Sequence, residues 1–291
     1  MSVYEVICMK QKRLVTIQDI SCFGKCSVTV ALPVISALGT ETVVLPTAVL
    51  STHTGEFKNY TFHPLYDEFN GICNHWESLG IEFDAIYVGY IGSNELICAV
   101  SDFIDRFKKE STVVFIDPAM ADNGKFYSGL DKNYAKNLAQ LCKKADIISP
   151  NMTEAMILSG GLPENYKDTN NIKEIAKKLT ALCDNVIITG VHKENTIETV
   201  SYEKETDTLY AAQKPLYDGV FYGSGDLFAS AFIGMYLTGA SLSEATQNAS
   251  DFVNECILKT LDERDKYWYG LKFEQSLSVL TDYQKSRENL L

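Results

Sequence analysis

Gly223-Ser224-Gly225-Asp226 leads directly into the apolar run 227–237, which reads Leu-Phe-Ala-Ser-Ala-Phe-Ile-Gly-Met-Tyr-Leu. A helix that is apolar on nearly all of its faces is buried in the protein. Its first turn therefore presents unpaired backbone N–H groups and one carboxylate to the interior or to a cleft. Free N–H groups at the positive end of a helix dipole form an anion site, and glycine lets a phosphate approach the backbone closely.

The tetrapeptide alone has two interpretations. Asp226 is unexpected in a simple phosphate site because its charge repels the anion, but it fits a base that takes a proton from a hydroxyl receiving a phosphoryl group. The alternative is an ordinary helix start, in which Ser224 is the N-cap and Asp226 interacts with the helix dipole. Without further evidence the tetrapeptide favours the helix cap.

Composition bounds the class of protein. The 291 residues are enough for one large domain or two small ones, and 46% hydrophobic with 22% charged residues is typical of a soluble globular protein. The net charge of −12 argues against nucleic-acid and anionic-membrane partners, which require a basic face. A phosphate ligand would have to be held by backbone N–H groups, a metal ion and a few local bases.

The sequence shows no targeting segment. Residues 1–13 lack the apolar core of a signal peptide, and no apolar run approaches the ~18 residues of a membrane span. The eight cysteines include no Cys-x-x-Cys pair, so zinc is disfavoured and we predict reduced thiols in the cytoplasm. We interpret Cys22 and Cys26 as residues without a functional role.

Apolar strands alternate with amphipathic helices along most of the chain. This alternation predicts a mainly parallel sheet with helices on both faces. The absence of an internal repeat or linker favours one domain over residues 1–291. The predicted strands are 13–18, 41–49, 84–89, 112–116, 146–149 and 186–189, with an antiparallel hairpin at 197–202 and 209–212. The predicted helices are 27–38, 64–79, 95–107, 134–144, 153–158, 172–183, 223–237, 242–261 and 272–283, with a turn at 19–25 and a loop at 51–61.

Polar and acidic residues follow the carboxyl ends of the predicted strands, where open parallel sheets bind their ligands. They are Asp19, Ser21, residues 51–55, Tyr90, Asp117, Asp122, Asn151, Glu154 and Thr189. The chain has no P-loop, no Gly-x-Gly-x-x-Gly after its first strand and no Gly-x-Ser-x-Gly elbow. A phosphate site at Gly223-Ser-Gly-Asp226, late in the chain, therefore differs from all three of these motifs.

These motifs together carry a resemblance to a known family. They are Ile17-Gln18, Ser51-Thr-His-Thr-Gly55, Gly89-Tyr90, Asp117-Pro118, Ser149-Pro-Asn151 with Glu154, Ile188-Thr189 and Gly223-Ser-Gly-Asp226. In this order, over residues 13–260, the chain resembles the pyridoxal and pyridoxamine kinases of the ribokinase-like superfamily. The last motif indicates only the superfamily, whereas the Ser-Thr-His-Thr-Gly loop with Gly-Tyr points to a vitamin B6 kinase.

The resemblance implies a fold and an assembly. It implies an α/β protein with a ribokinase-like three-layer α/β/α sandwich, whose mainly parallel central sheet has a small antiparallel edge. It also implies a single kinase domain over residues 1–291, a flap over the active site at about 51–62, and a homodimer.

The resemblance also implies roles for single residues. Asp226 would be the base facing the hydroxymethyl oxygen of the substrate, and the N–H groups of Gly223, Ser224 and Gly225 would form the anion hole. Glu154 would hold Mg²⁺ through water, with Asn151 nearby and Asp117 as a further metal-site residue. The remaining positions are Asp122, Ser149, Asn151 and Thr189 for the nucleotide, and Asp19, Ser21, His53, Thr54 and Tyr90 for the substrate.

Asp19 departs from the family pattern, in which many members have serine. An aspartate there favours the cationic aminomethyl group of pyridoxamine over the aldehyde of pyridoxal, or else a related pyrimidine alcohol. Simpler interpretations also stand for other positions. His53 is a solvated loop residue in one of them, Glu154 an exposed residue of a first helical turn, and Tyr90 a cap on the core, although Gly89 leaves space beside it.

The sequence thus predicts an ATP- and Mg²⁺-dependent kinase that phosphorylates the 5′-hydroxymethyl group of pyridoxamine, pyridoxal or pyridoxine, with a monovalent cation such as K⁺ as a further cofactor. This is the salvage reaction toward pyridoxal phosphate. One alternative is the hydroxymethylpyrimidine kinase of thiamine synthesis. The other is a protein that binds a B6 vitamer without catalysis.

Overall fold

The computed structural model describes residues 11–288. The strands are β1 (Arg13–Ser21), β2 (Glu41–Leu50), β3 (Phe62–Pro64), β4 (Ala85–Val88), β5 (Val113–Ile116), β6 (Ala121–Asp122), β7 (Lys125–Phe126), β8 (Ile147–Ile148), β9 (Asn185–His192), β10 (Thr196–Glu203) and β11 (Thr208–Pro215). The α-helices are α1 (Val28–Ala37), α2 (Tyr66–Ser78), α3 (Asn94–Phe107), α4 (Lys132–Cys142), α5 (Met152–Leu158), α6 (Ile172–Leu179), α7 (Ser224–Leu237), α8 (Leu242–Thr260) and α9 (Leu277–Glu288). Short 3₁₀ turns lie at Pro163–Asn165, Leu261–Glu263 and Phe273–Ser276.

One large sheet runs through the structure in the order β11-β10-β9-β8-β5-β4-β1-β2-β3. Its central strands, from β9 to β2, pair in parallel, while β10 and β11 at one edge and β3 at the other pair antiparallel. The predicted fold class, a mainly parallel sheet with a small antiparallel edge, is therefore confirmed. A separate two-stranded ribbon, β6 with β7, was not predicted.

Helices cover both faces of this sheet, as a parallel sheet of apolar strands requires. One hydrophobic cluster joins one sheet face to α2, α3, α4, α5 and α6. The other joins the opposite face to α1, α7, α8 and α9. Every residue of α7 from Leu227 to Met235 is buried, which confirms the helix predicted from its apolar run.

Several element boundaries differ from the sequence prediction by a few residues, as at α6, which ends at Leu179 rather than at residue 183, and two differences alter an element. Strand β1 continues through Asp19 to Ser21, where a turn was predicted, because an irregularity between Gln18 and Ile20 lets β1 stay paired with β2. The helix predicted at 272–283 is a 3₁₀ turn followed by α9. The first difference matters for function, since it fixes Asp19 on a strand rather than on a flexible turn.

The seven cysteines among residues 11–288 are all free, in line with the predicted reduced thiols, whereas Cys8 and the first ten residues lie outside the described part. Within the described residues, no helix combines the length and the apolar character that crossing a membrane requires.

Candidate active site

Helix α7 starts without a side-chain cap. Gly223 occupies the N-cap position in the left-handed conformation, with φ 78°, and Ser224 is already the first helical residue. The interpretation of Ser224 as the capping side chain is therefore wrong. A Cβ at position 223 would lie 1.9 Å from the carbonyl oxygen of Lys25, so only glycine fits here. The helix start is shaped by the approach of the loop before α1.

The donors at this helix start are not equivalent. The N–H of Ser224 donates to the carbonyl of Phe221 at 3.2 Å. Among the described residues, the N–H groups of Gly223 and Gly225 have no such partner. A Cβ added to Gly225 would meet nothing within 4 Å, so space is open in front of it. The arrangement can receive an anion at Gly223 and Gly225, whereas the Ser224 N–H is already engaged in a turn.

A cleft of about 470 Å³ opens in front of α7. Its walls bring together all ten residues predicted for catalysis, the anion hole, the nucleotide and the metal. They are Gly223, Ser224, Gly225, Asp226, Asp117, Asp122, Ser149, Asn151, Glu154 and Thr189. The five residues predicted for the substrate do not line this cleft. Of these five, Asp19 acts on Asp226 through its charge.

Asp226 is a partly buried carboxylate between these two groups of residues. Burial, followed by the charge of Asp19, raises the pKa of Asp226 to about 7, while a hydrogen bond from the Ser27 backbone acts in the opposite direction. A carboxylate whose pKa lies near neutral pH is a better proton acceptor than an ordinary aspartate. Desolvation thus outweighs the backbone hydrogen bonds that stabilise the ionised form of Asp226.

Asp19 is only 3% exposed, and its carboxylate accepts a hydrogen bond from the Ser21 hydroxyl at 2.8 Å. Burial raises its pKa, and the Ser27 and Ser21 hydroxyls partly offset this. No lysine or arginine forms an ion pair with Asp19 in the described residues. Two acids, Asp19 and Asp226, therefore face one region without a basic side chain paired to Asp19.

Glu154 is 1% exposed rather than an exposed first-turn residue. Its Oε1 accepts from the N–H groups of Met120 at 2.9 Å and Ala121 at 3.3 Å, and its Oε2 accepts from Asn151 N–H at 2.9 Å. Asn151 Oδ1 in turn accepts from the N–H of Glu154, which completes a capping box at the start of α5. The carboxylate is thus held in place by the backbone, so a cation would reach it most readily through water.

Asp117 follows β5 at the floor of the cleft, and no hydrogen bond to its carboxylate is found among the described residues. Burial and then the charges of Glu154 and Asp226 raise the pKa of Asp117 well above its usual range. Repulsion of this kind is relieved by a cation. Within residues 11–288, no group of three or more His, Cys, Asp or Glu side chains could by itself hold a metal ion. A metal here would need water or ligand oxygens as well.

The residues predicted for the nucleotide lie at adjoining strand ends. Ser149 follows β8 and is 4% exposed, and an isolated bridge pairs Asn151 with Thr189. Asn151 also donates from Nδ2 to the carbonyl of Ala121 at 2.8 Å. Asp122 is exposed at the cleft and accepts from the Asn123 backbone at 2.8 Å. The strand ends therefore converge as predicted for an open parallel sheet.

His53 is buried, which contradicts the simpler of its two interpretations. It is 5% exposed, so it is not a solvated loop residue. Its Nδ1 accepts from the N–H of Gly55 at 3.0 Å, and its Nε2 lies 3.0 Å from the carbonyl of Tyr269. Because the Nδ1 accepts, the Nε2 carries the proton and donates. Both ring nitrogens are thus engaged, and His53 fixes the 51–61 loop against the segment around Tyr269.

Thr54, next to His53, is exposed, and Tyr90 is partly buried after β4. Burial, then the charges of Asp19 and Tyr60, raise the pKa of Tyr90 to about 12, which places Tyr90 near both of them. Gly89 does not leave space for a ligand beside Tyr90. A Cβ there would lie 2.4 Å from Gln18 Oε1, so the space is filled by Gln18.

Sequence reasoning missed three residues of the site. Cys26 was interpreted as having no role, but its pKa is raised by burial and then by Asp226 and Asp19, which places it beside both acids. Ser27 hydrogen-bonds to both acids. Tyr127 lines the cleft among its carboxylates. Cys26 and Ser27 are brought to Asp226 by a contact between distant segments, which no local pattern reveals.

Comparison with known proteins assigns the chain to one family. The sequence model of one family, described as phosphomethylpyrimidine kinase, matches residues 22–268. A candidate pyridoxal kinase of Schizosaccharomyces pombe is 29% identical over 204 residues, which cover 67% of this chain and 59% of that protein. This chain therefore aligns with less than two thirds of that relative.

Two solved structures are similar over nearly the whole chain. A candidate phosphomethylpyrimidine kinase from Bacteroides thetaiotaomicron, in a crystal form with pyridoxal, has a TM-score of 0.88 and 32% identity, covering 93% of this chain and 96% of that one. The pyridoxal kinase of Lactobacillus plantarum has a TM-score of 0.88 and 25% identity, covering 95% and 99%.

Proposed function

Because this chain belongs to the phosphomethylpyrimidine kinase family of ribokinase-like proteins, we propose that it is a vitamin B6 kinase, which transfers the γ-phosphoryl group of ATP to the 5′-hydroxymethyl group of pyridoxamine, pyridoxal or pyridoxine. The names of its relatives support this activity, since a pyridoxal kinase and a protein crystallised with pyridoxal are among them.

The observation that carries the proposal is the position of Asp226. It stands in the first turn of α7, directly after the unpaired N–H groups of Gly223 and Gly225, with a pKa of about 7. A proton acceptor next to an anion site is the arrangement that phosphoryl transfer to an alcohol requires. A site that only binds a vitamer needs neither feature.

Asp226 accepts the proton of the substrate hydroxyl as that oxygen forms its bond to the γ-phosphorus. The bond between the γ-phosphorus and the bridging oxygen breaks, and ADP leaves. The N–H groups of Gly223 and Gly225 donate to the transferring group, whose charge lies mainly on its equatorial oxygens. Because the protein has a net charge of −12, these backbone donors supply positive potential that the side chains lack.

The site residues fit a magnesium ion. Asp117 offers a carboxylate without a hydrogen-bond partner among the described residues, and its raised pKa shows that the nearby acids repel one another. Asp117 would hold the ion, and Glu154 would hold it through water. When bound, Mg²⁺ neutralises charge on the phosphates. We propose that a monovalent cation such as K⁺ is a further cofactor near Asp117.

Asp19 supports a preference among the vitamers. It is buried, and no basic side chain within residues 11–288 pairs with it, so a cationic group of the substrate would be stabilised beside it. Pyridoxamine carries such a group as its aminomethyl substituent, whereas pyridoxine carries a neutral hydroxymethyl group at that position. We therefore place pyridoxamine first among the substrates, with Ser21, Thr54 and Tyr90 as further substrate contacts.

An assay that couples ADP release to a second reaction tests this function directly. The purified protein is given Mg-ATP and, in separate reactions, each B6 vitamer, hydroxymethylpyrimidine and a panel of sugars. Turnover of at least one vitamer supports the proposal. No turnover of any vitamer contradicts it, and vitamer binding without turnover points to a binding protein instead.

A second candidate function is hydroxymethylpyrimidine kinase. The description of the matching family favours it, and Asp19 does as well, because a carboxylate can pair with the amino group and ring nitrogen of an aminopyrimidine. The same panel separates the two functions by the ratio of kcat/KM for the vitamer and the pyrimidine.

We also propose a cytoplasmic homodimer in which residues 1–291 form one domain and residues 51–62 act as a flap over the substrate. The free cysteines support a reducing compartment. The contact between His53 and Tyr269 supports the flap, because it fixes the loop near Asp19, whose charge acts on His53.

A further inference from the structure

Three buried polar side chains lie beneath α7, in a layer that is otherwise apolar: Gln18 on β1, Tyr87 on β4 and Ser230 on α7. Each is 0% exposed. Gln18 Oε1, the Tyr87 hydroxyl and Ser230 Oγ all lack a hydrogen-bond partner within residues 11–288. Buried polar atoms in native proteins are nearly always paired, so unpaired ones indicate an ordered water or ion.

The three side chains share one place in the fold. Thr16 is the register partner of Tyr87, and side chains alternate along a strand, so Thr16, Gln18 and Tyr87 all point to the α7 face of the sheet. Gln18 Nε2 donates to Thr16 Oγ1 at 2.6 Å, whereas Gln18 Oε1 accepts no hydrogen bond from the described residues. Burial raises the pKa of the Tyr87 phenol, while the Ser230 hydroxyl and the Gln18 amide both act to lower it, so the three groups lie close together although none meets the geometry of a direct hydrogen bond. A water that contacts all three groups would supply the missing hydrogen bonds.

This cluster lies directly behind the proposed base. Ser230 follows Asp226 by four residues in α7, so it sits one helical turn further along the same face. The charges of Asp117 and Asp226 both act on Tyr87. The groups that face Asp226 from neighbouring elements are Asp19 on β1, Tyr87 on β4, Asp117 after β5 and Cys26 before α1.

We propose that Gln18 Oε1, the Tyr87 hydroxyl and Ser230 Oγ bind one buried water molecule. By linking Tyr87 on β4 to Ser230 on α7, this water fixes the first turns of α7, which carry Asp226, so Tyr87 and Ser230 are positioning residues for Asp226. The water donates to Gln18 Oε1 and to one hydroxyl, and it accepts from the other hydroxyl. Three partners are the usual number for a buried water. The second half of the proposal rests on the proposed role of Asp226, whereas the first half does not.

A high-resolution crystal structure of the wild-type protein, grown in potassium and in rubidium salts, tests the water. We expect a density peak within about 3.2 Å of all three oxygens, without anomalous signal in rubidium. Two results overturn the proposal. One is the absence of a peak with direct hydrogen bonds among the three side chains, and the other is a rubidium signal that identifies a cation.

Steady-state kinetics of Tyr87→Phe and Ser230→Ala test the positioning role. Each variant deletes one hydroxyl from the water site. We expect kcat to fall about three- to tenfold, with KM for the vitamer and for ATP within about twofold of wild type. The reason is that only the orientation of the Asp226 carboxylate changes. A merely structural role would not separate kcat from KM in this way.

Matched controls come from the same class of buried hydroxyls. Tyr283 and Ser276 also carry unpartnered hydroxyls, but neither lines the cleft. Tyr283→Phe and Ser276→Ala should leave kcat unchanged. If Tyr87→Phe and Ser230→Ala also leave kcat unchanged while the water is present, the positioning role is wrong. If wild type turns over no substrate, the proposed function fails, and the crystallographic result still decides the water site.

Discussion

Gly223 lies so close to the backbone of Lys25 that the Cβ of any other residue would fall 1.9 Å from the Lys25 carbonyl oxygen. The contact joins the start of α7 to the loop before α1. That loop also carries Cys26 and Ser27, which interact with both Asp19 and Asp226. One glycine therefore holds the two halves of the site together, the anion hole on one side and the substrate region on the other.

Gly223→Ala should lose both stability and activity. The alanine must adopt φ 78° and displace Lys25, so we expect a fall in Tm of several degrees and almost no turnover. Gly225→Ala is the control, because its Cβ meets nothing within 4 Å. It should keep its Tm but lose activity, since the methyl group occupies the approach of the phosphate. Wild-type kinetics of Gly225→Ala would contradict an anion site at this position.

Asp226→Asn should reduce kcat by about 10²–10⁴ because the amide cannot accept the proton of the substrate hydroxyl. KM for ATP should stay within a few-fold, since the N–H donors remain. Asp131→Asn is the matched control: Asp131 caps α4 away from the cleft, and asparagine caps equally well. A kcat near wild type for Asp226→Asn would refute the catalytic role.

The pH dependence of kcat/KM should show the pKa of Asp226. The base must be ionised to act, so kcat/KM should fall as the pH drops through about 7. The charge of Asp19 is the second cause that raises this pKa, after burial. In Asp19→Asn the acidic limb should therefore move to lower pH. A limb that stays in place would show that Asp19 does not act on the base.

Asp117→Asn should stabilise the ligand-free protein at pH 8. The pKa of Asp117 is raised in the folded state by burial, Glu154 and Asp226, so the folded protein binds more protons than the unfolded chain above pH ~4. Stability then falls as the pH rises, and removal of the carboxylate removes this loss. Thermal unfolding at pH 5 and pH 8 measures it, and the gain should appear mainly at pH 8.

Asp207→Asn is a control for this experiment, because it should change the stability at pH 8 in the opposite direction to Asp117→Asn. The pKa of Asp207 is lowered to about 2 by the Tyr202 hydroxyl and then by Lys177 and Lys173. Its charge is therefore favourable in the folded state at every pH above that range, and its removal should lower stability at pH 8. An equal gain from both variants would contradict the account of repulsion in the cleft.

His53→Phe should weaken binding of the vitamer more than the chemistry. It removes the hydrogen bonds that join the 51–61 loop to Tyr269 and to Gly55. We expect KM for the vitamer to rise several-fold, with KM for ATP unchanged. A change in kcat alone would instead suggest that His53 takes part in the transfer.

Local sequence patterns were sufficient to predict the elements of the fold that are buried in its core. Continuous apolar runs predicted β4, β5 and α7, because these elements are buried on nearly all sides. The capping box of Asn151 and Glu154 was also visible as a local signal, since asparagine followed three residues later by glutamate is typical of a helix start. Recognising it would have shown that the Glu154 carboxylate is fixed by the backbone.

Features set by contacts between distant segments could not be predicted in this way. The turn predicted from Asp19 onward is a strand because Ile20 and Ser21 pair with β2. His53 contacts the segment around Tyr269, which lies more than two hundred residues later in the chain. Cys26 looked unremarkable in sequence because its neighbour Gly223 is almost two hundred residues away. The need for glycine at 223 is likewise a consequence of Lys25, not of the helix itself.

The central claim is that this protein phosphorylates a vitamin B6 hydroxymethyl group with Asp226 as the base. Mass spectrometry of reactions containing Mg-ATP and pyridoxamine, with wild type and with Asp226→Asn, tests it most directly. We predict one ADP for each pyridoxamine phosphate formed by wild type, and almost no phosphorylated product with the variant. ADP formation without phosphorylated vitamer, or equal product from both proteins, would contradict the account.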